Sequence, residues 1–177
     1  MERLAIGAIA VGLVAAMALS APPFAAGAEQ VPCTITGTPQ SDRLRGTSGA
    51  DVICGKGGHD LIFGREGRDI LRGGRSGDLI LGGPGPDVVL GAKGYDSLWG
   101  GDGKDSILGG VGRDTVVGQG QRDIIAGGVG DDFCISGKDG KGGDQLRGGP
   151  GDDWGDADAG DSVAQVEEVF GRRCRGY

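Results

Sequence analysis

The chain predicts an all-β parallel solenoid, and three features of one short repeat predict it. An aspartate recurs every nine residues at Asp42, Asp51, Asp60, Asp69, Asp78, Asp87, Asp96, Asp105, Asp114, Asp123 and Asp132, and the phase resumes at Asp144 and Asp153. Two positions after each except Asp132 and Asp153 stands an aliphatic residue (Leu44, Ile53, Ile62, Leu71, Ile80, Val89, Leu98, Ile107, Val116, Ile125, later Leu146), and four positions after, nearly always, a glycine. Turn-forming residues therefore alternate with extended ones. From Gly100 to Asp105 the glycines allow positive φ and close backbone approach, and Ser106-Ile107-Leu108 then alternates faces as a short strand. A strand this short is not stable alone, so units must stack with parallel strands about 4.8 Å apart. The middle aliphatics then form a thin inner ladder.

Each segment follows in order. Residues 1–28 read as an export signal: Arg3 near the start, an apolar run from Leu4 to Leu19, and small residues Ala26-Gly27-Ala28 at a cleavage position. That run is short for a membrane span, which needs about 20 residues. Residues 29–41 form an N-terminal cap, residues 42–156 the repeat array and residues 157–177 a C-terminal cap. Glycine supplies 41 of 177 residues, a level that suggests disorder or a fibrous repeat. Strict phase decides for the repeat, because a flexible linker has no reason to hold aliphatics and carboxylates in register. The net charge of -7 excludes a nucleic-acid partner, which needs a basic footprint, and makes divalent cations the natural counter-charge.

These residues resemble the RTX (repeats-in-toxin), or haemolysin-type, calcium-binding repeat family. The resemblance covers roughly Gly37 to Asp153 and implies a parallel β-roll with two nonapeptides per coil and several Ca2+ ions between turns stacked one coil apart. Five units carry the whole turn motif, ending at Asp87, Asp105, Asp114, Asp132 and Asp153. Asp51, Asp60, Asp69 and Asp96 end units that lose or displace the second glycine. The units ending at Asp42, Asp78, Asp123 and Asp144 depart further, with Ser76 and Gln121 where glycine is expected.

Calcium takes six to eight hard oxygen ligands from carboxylates and carbonyls, and a glycine-rich turn ending in aspartate offers both. Carboxylates about 5 Å apart repel by about 3 kcal/mol at an effective dielectric of 20, so a column of them favours a bound cation and couples binding to folding. Complete turns eighteen residues apart pair Gly82, Gly83, Gly85 and Asp87 with Gly100, Gly101, Gly103 and Asp105. They also pair Gly109, Gly110, Gly112 and Asp114 with Gly127, Gly128, Gly130 and Asp132. These are the first candidate ligands, followed by Asp78, Asp96, Asp123 and Asp153. Between Asp42 and Asp78, Arg43, Arg45, Lys56, Arg65, Arg68, Arg72 and Arg75 outnumber the carboxylates, so arginine is expected to replace calcium there or to weaken it.

Four cysteines in an exported chain suggest two disulfides. Two nonapeptides per coil would put Cys54 and Cys134 about 20 Å apart at the strand spacing, far beyond the roughly 7 Å Cα limit. The same distance excludes Cys33 with Cys134 and Cys54 with Cys174, leaving Cys33 with Cys54 and Cys134 with Cys174, which would clamp the two ends. From Asp161 to Phe170 the repeat breaks, with Val163, Val166, Val169 and Phe170 spaced for an amphipathic helix or a final strand. Alternation places Phe63, Leu81, Leu90, Trp99, Leu108 and Val117, with Leu61, Ile70, Leu79 and Val88, on the outer face. They offer a surface for self-association or a cell-surface partner. His59, the single histidine, occupies an ordinary variable slot. The functional expectation is a secreted, extracellular calcium-binding repeat protein, not an enzyme and without a catalytic substrate. The alternative is an adhesion or matrix-assembly protein with structural calcium.

Overall fold

The computed structural model describes residues 22–137, 139–166 and 168–169. Its repeats stack as the expected parallel β-solenoid of two nonapeptides per coil. One sheet consists, in order, of β1 (Ile35–Thr36), β3 (Val52–Gly57), β5 (Ile70–Arg75), β7 (Val88–Lys93), β9 (Ser106–Val111), β11 (Ile124–Val129), β13 (Gln145–Arg147) and β15 (Ser162–Ala164). The facing sheet is built from β2 (Arg43–Arg45), β4 (Leu61–Phe63), β6 (Leu79–Leu81), β8 (Ser97–Asp102), β10 (Thr115–Gly120), β12 (Phe133–Ser136), β14 (Trp154–Asp156) and β16 (Glu168–Val169). Every pairing is parallel and, through the middle, separated by eighteen residues: Ile53 pairs with Leu71, Leu71 with Val89, Val89 with Ile107 and Ile107 with Ile125.

The core is the thin ladder the repeat demands. Ile53, Ile62, Leu71, Ile80, Val89, Leu98, Ile107, Val116, Ile125, Ile135 and Leu146 form one buried cluster, with Ile35, Leu44 and Ala157 against it. Each contributes roughly 2 kcal/mol by leaving water, and no other large core exists among the described residues. Several strands run six residues rather than three, because the first turn positions also pair with the next coil: Gly74 meets Ala92 and Ala92 meets Gly110.

Three local features stand outside the plain repeat. The residue two after Asp132 is Cys134, yet the chain bulges there. Cys134 takes φ +67°, the register shifts between Phe133 and Ile135, and Ile135 turns inward instead. At the C-terminal end, β15 pairs with β13 and β16 with β14, so the segment after Asp161 extends both sheets as strand. The third feature concerns the segment read as an export signal. Its end forms a short helix, α1 (Pro23–Ala28), whose buried Ala25 and Ala28 pack on Leu90 beside Ile70, Val88 and Leu108. Small residues three apart give α1 a flat apolar face, which matches the outer side of β7. The Arg72 guanidinium fastens this lead-in by donating to the carbonyls of Ala28 and Val31.

The disulfide Cys33–Cys54 ties the lead-in to β3, with Cα atoms 6.0 Å apart. Cys134 is also disulfide-bonded; its expected partner, Cys174, lies outside the described residues. On the outer face Phe63, Leu81, Trp99 and Val117 fall in one register column. Arg43 and Arg45 lie over the Phe63 ring, 5.4 and 5.9 Å from its centroid.

Candidate metal centre

Each turn runs over six positions and ends in the aspartate, and the second and fourth positions set its shape. In the turn from Gly82 to Asp87, Gly83 and Gly85 take φ of +113° and +132°. From Lys56 to Gln121, where the sequence lacks glycine at these positions, the backbone keeps the same hand: Lys56, Arg65, Ala92 and Gln119 at the second position and Ser76 and Gln121 at the fourth all have φ between 75° and 84°. The turn conformation thus survives substitutions that disfavour it by about 1 kcal/mol or more each.

Turns one coil apart place their aspartates in two columns. Within a column each aspartate's backbone N–H donates to Oδ1 of the aspartate in the next coil. Asp69 donates to Asp87, Asp87 to Asp105 and Asp105 to Asp123, at 2.8 to 2.9 Å. On the opposite edge Asp60 donates to Asp78, Asp78 to Asp96, Asp96 to Asp114 and Asp114 to Asp132, at 2.7 to 2.9 Å. The three residues inserted near Cys134 stretch the spacing without breaking the ladder, since Asp123 still reaches Asp144 and Asp132 reaches Asp153. One member was missed by the periodicity. Asp161 accepts from the N–H groups of Gly143 and Asp144 at 2.6 and 3.0 Å. Its signal in the sequence is the alternation of Ser162-Val163-Ala164 after it.

The second oxygen is the unusual one. Oδ2 of each ladder aspartate from Asp60 to Asp132, and of Asp144, is buried without a hydrogen-bond partner among the described residues. The cause is local. The turn N–H groups that would answer it point to the next coil, as when Gly83 donates to Gly100 O at 2.9 Å and Gly85 to Asp102 O at 2.7 Å. Oδ2 instead faces the first glycine of its own turn. A Cβ built on Gly82, Gly100, Gly109 or Gly127 would overlap Oδ2 of Asp87, Asp105, Asp114 or Asp132 and the carbonyl oxygen of the next coil. Glycine at this position keeps open a cradle whose nearest atoms are hard oxygens.

The two turn pairs expected from sequence are stacked within these columns: Gly82, Gly83, Gly85 and Asp87 under Gly100, Gly101, Gly103 and Asp105, and Gly109, Gly110, Gly112 and Asp114 under Gly127, Gly128, Gly130 and Asp132. Among the described residues no three His, Cys, Asp or Glu side chains gather at one metal position. A cation here would therefore be held by backbone carbonyls together with carboxylates, the mixture calcium accepts.

Burial sets the electrostatics. It holds the carboxyls of Asp78, Asp87, Asp96, Asp114, Asp123 and Asp132 up at about 7, and that of Asp105 at about 6. The N–H from the adjacent coil pulls each back down, while neighbouring carboxylates, such as Asp96 and Asp60 beside Asp78, push further up. Asp60, Asp69 and Asp144 shift in the same direction for the same leading reason.

Arginine does not take a cation's place in the early coils. No side chain hydrogen-bonds Oδ2 of Asp60, Asp69 or Asp78 among the described residues; Arg43 and Arg45 lie on Phe63 and Arg72 turns to the lead-in. Their outward-facing slots carry them away from the turn interior. His59 Nδ1 sits 2.7 Å from Gly77 O, a contact along the turn edge.

No curated protein matches the chain. The family model described as the RTX calcium-binding nonapeptide repeat matches residues 34–62, 45–80, 55–89, 81–116, 108–140 and 136–164. These overlapping stretches take in nearly the whole solenoid, both aspartate columns and the coil completed by Asp161. The chain belongs to the RTX calcium-binding nonapeptide repeat family.

Proposed function

We propose that this chain is a non-catalytic, exported calcium-binding β-roll protein in which ion binding and folding are one process. The observation that carries the reading is the row of buried Oδ2 atoms unanswered among the described residues, each facing a glycine cradle that at Gly82, Gly100, Gly109 and Gly127 also meets a carbonyl from the next coil. A buried anionic oxygen without a partner is costly, and here the cost repeats along both edges of the roll. The candidate ligands are Oδ2 of Asp87, Asp105, Asp114 and Asp132 with the carbonyls of their glycine turns, then Asp78, Asp96, Asp123 and Asp153. Calcium would supply the positive charge and the many-oxygen coordination that such a site lacks. The aspartates hold the turns in register through Oδ1, and the glycines keep side chains out of the cradle.

Coupled folding suits an exported chain, because the roll would stay open until it meets calcium outside the cell. The start of the chain supports export through its apolar run and the small residues Ala26-Gly27-Ala28. Far-ultraviolet circular dichroism of the metal-stripped full chain tests the mechanism. Calcium should produce a cooperative gain of β signal that magnesium does not. A spectrum already folded in chelator and unchanged by calcium would leave a disulfide-clamped solenoid in which the ions are not part of folding.

One observation favours a second reading, adhesion or matrix assembly with structural calcium. Phe63, Leu81, Trp99 and Val117 form a continuous apolar column on one outer face, with the exposed Leu79 beside it. Contiguous apolar surface marks interaction sites. Sedimentation of the calcium-loaded chain across concentrations separates the readings, since assembly requires clustering and a solitary roll stays monomeric.

A further inference from the structure

The first two turns solve the aspartate problem differently from the rest. Thr38 and Thr47 stand at the second turn position, before Asp42 and Asp51, and neither adopts the left-handed backbone found at that position in later turns. Thr38 donates its backbone N–H to Asp42 Oδ2 at 2.6 Å and its hydroxyl to the same oxygen at 2.9 Å, while the Gln40 N–H donates to Thr38 Oγ1 at 3.2 Å. Thr47 repeats the arrangement on Asp51 Oδ2 at 2.6 and 2.9 Å, with the Gly49 N–H on its hydroxyl at 3.1 Å.

In the glycine turns the corresponding N–H groups leave for the next coil: Gly83 for Gly100 O and Gly85 for Asp102 O. The oxygen unanswered from Asp60 to Asp132 is therefore answered twice in each threonine turn. The Cys33–Cys54 disulfide ties the lead-in of this coil to β3 of the next. It also presents an unchanged ladder edge upward, since Asp42 donates to Asp60 Oδ1 and Asp51 to Asp69 Oδ1, both at 2.8 Å.

We infer that Thr38 and Thr47 replace the metal in the first coil, making it a metal-independent cap that templates the calcium-dependent turns above it. The inference rests on the calcium reading and deepens it by separating turns that take an ion from turns built to do without one. A hydroxyl and an amide supply donors where a cation would supply charge, and the turn closes on itself. Thr47 is the sharper case, because Thr47→Gly would leave Gly46, Ser48, Gly49, Ala50 and Asp51 completing the full family motif.

Hydrogen exchange read by mass spectrometry on the full chain in chelator tests the cap without any substitution. Peptides from residues 33–57 should exchange about tenfold or more slowly than those from residues 64–161, and calcium should then protect the latter. Uniform exchange along the chain in chelator would overturn the inference. The second measurement is calcium stoichiometry by equilibrium dialysis, with magnesium as control, for the parent chain and Thr47→Gly. The substitution should add an ion and remove the cap's protection in chelator. Calcium bound by the parent with an unchanged count in Thr47→Gly would overturn the inference alone. A parent chain that binds no calcium would sink the calcium reading and this inference with it.

Discussion

At the ladder aspartates from Asp78 to Asp132 two demands conflict. Burial against the turn favours the neutral acid, while the N–H from the adjacent coil favours the carboxylate. Burial wins without an ion, which is why these carboxyls rise to about 6 or 7. A raised folded-state value means that the stability linked to protonation is present below the unfolded value of 3.8 and is lost as pH rises through about 7. In chelator the roll should therefore be more stable at pH 5 than at pH 8, which urea denaturation at the two pH values will check. Calcium must displace those protons, so its affinity should rise over the same window and binding should release protons. Calorimetry in two buffers of different ionisation enthalpy measures that release, and a buffer-independent heat would refute it. Asp105→Asn separates the two oxygens. The amide keeps an acceptor for the Asp87 N–H, bonded at 2.8 Å in the parent, but removes the charge. The variant should lose calcium at its turn, seen by dialysis, and gain about 1 kcal/mol in chelator because a buried charge is removed.

At the scale of the turn and strand, the repeat writes most of its conformation into the sequence. Glycine at the second and fourth positions, aspartate at the sixth and an aliphatic two later specify a turn, a ladder and an inward side chain, and Gly83, Gly85, Asp87 and Val89 occupy those places in the structure. The exceptions have physical reasons. Cys134 occupies an inward slot by count, but the bulge hands that slot to Ile135, and a bulge leaves no mark in a nine-residue count. Arg65 and Arg68 looked like competitors for the ladder by charge alone, whereas facing direction depends on turn geometry that composition does not carry. Thr38 and Thr47 look like ordinary losses of glycine, yet their hydroxyls close the turn. Ala92 shows the opposite case, a loss of glycine with no compensating bond of its own side chain and φ of +83°. Ala92→Gly should relieve about 1 to 2 kcal/mol of left-handed strain against an unfolded-state entropy cost of about 0.5 to 1 kcal/mol. The net expectation is a stabilisation of roughly 0.5 to 1 kcal/mol, read from the urea midpoint with calcium present. An unchanged or lower midpoint would show that the strain is absorbed elsewhere.

For the whole molecule, the consequence of stacking is that each coil touches only its neighbours. Stability in such an array is a sum of coil terms and interface terms, and order propagates along it. The aspartate columns make calcium part of the interface term, because the cradles at Gly82, Gly100, Gly109 and Gly127 each join a carboxylate of one coil to a carbonyl of the next. Occupancy at one level should therefore favour occupancy at the next, and a calcium titration followed by circular dichroism should be steeper than independent binding allows. Position in the array then matters more than the number of sites lost. Asp96→Asn with Asp105→Asn removes a charge from each column near the middle, leaving intact ladders on both sides. Asp144→Asn removes one near the end, where few coils remain beyond it. The central double substitution should split the titration into two shallower phases, while the terminal one should keep a single steep transition at slightly higher calcium. Equal steepness in both variants would mean that the ions bind independently and that the interface is carried by the backbone and the aliphatic ladder alone.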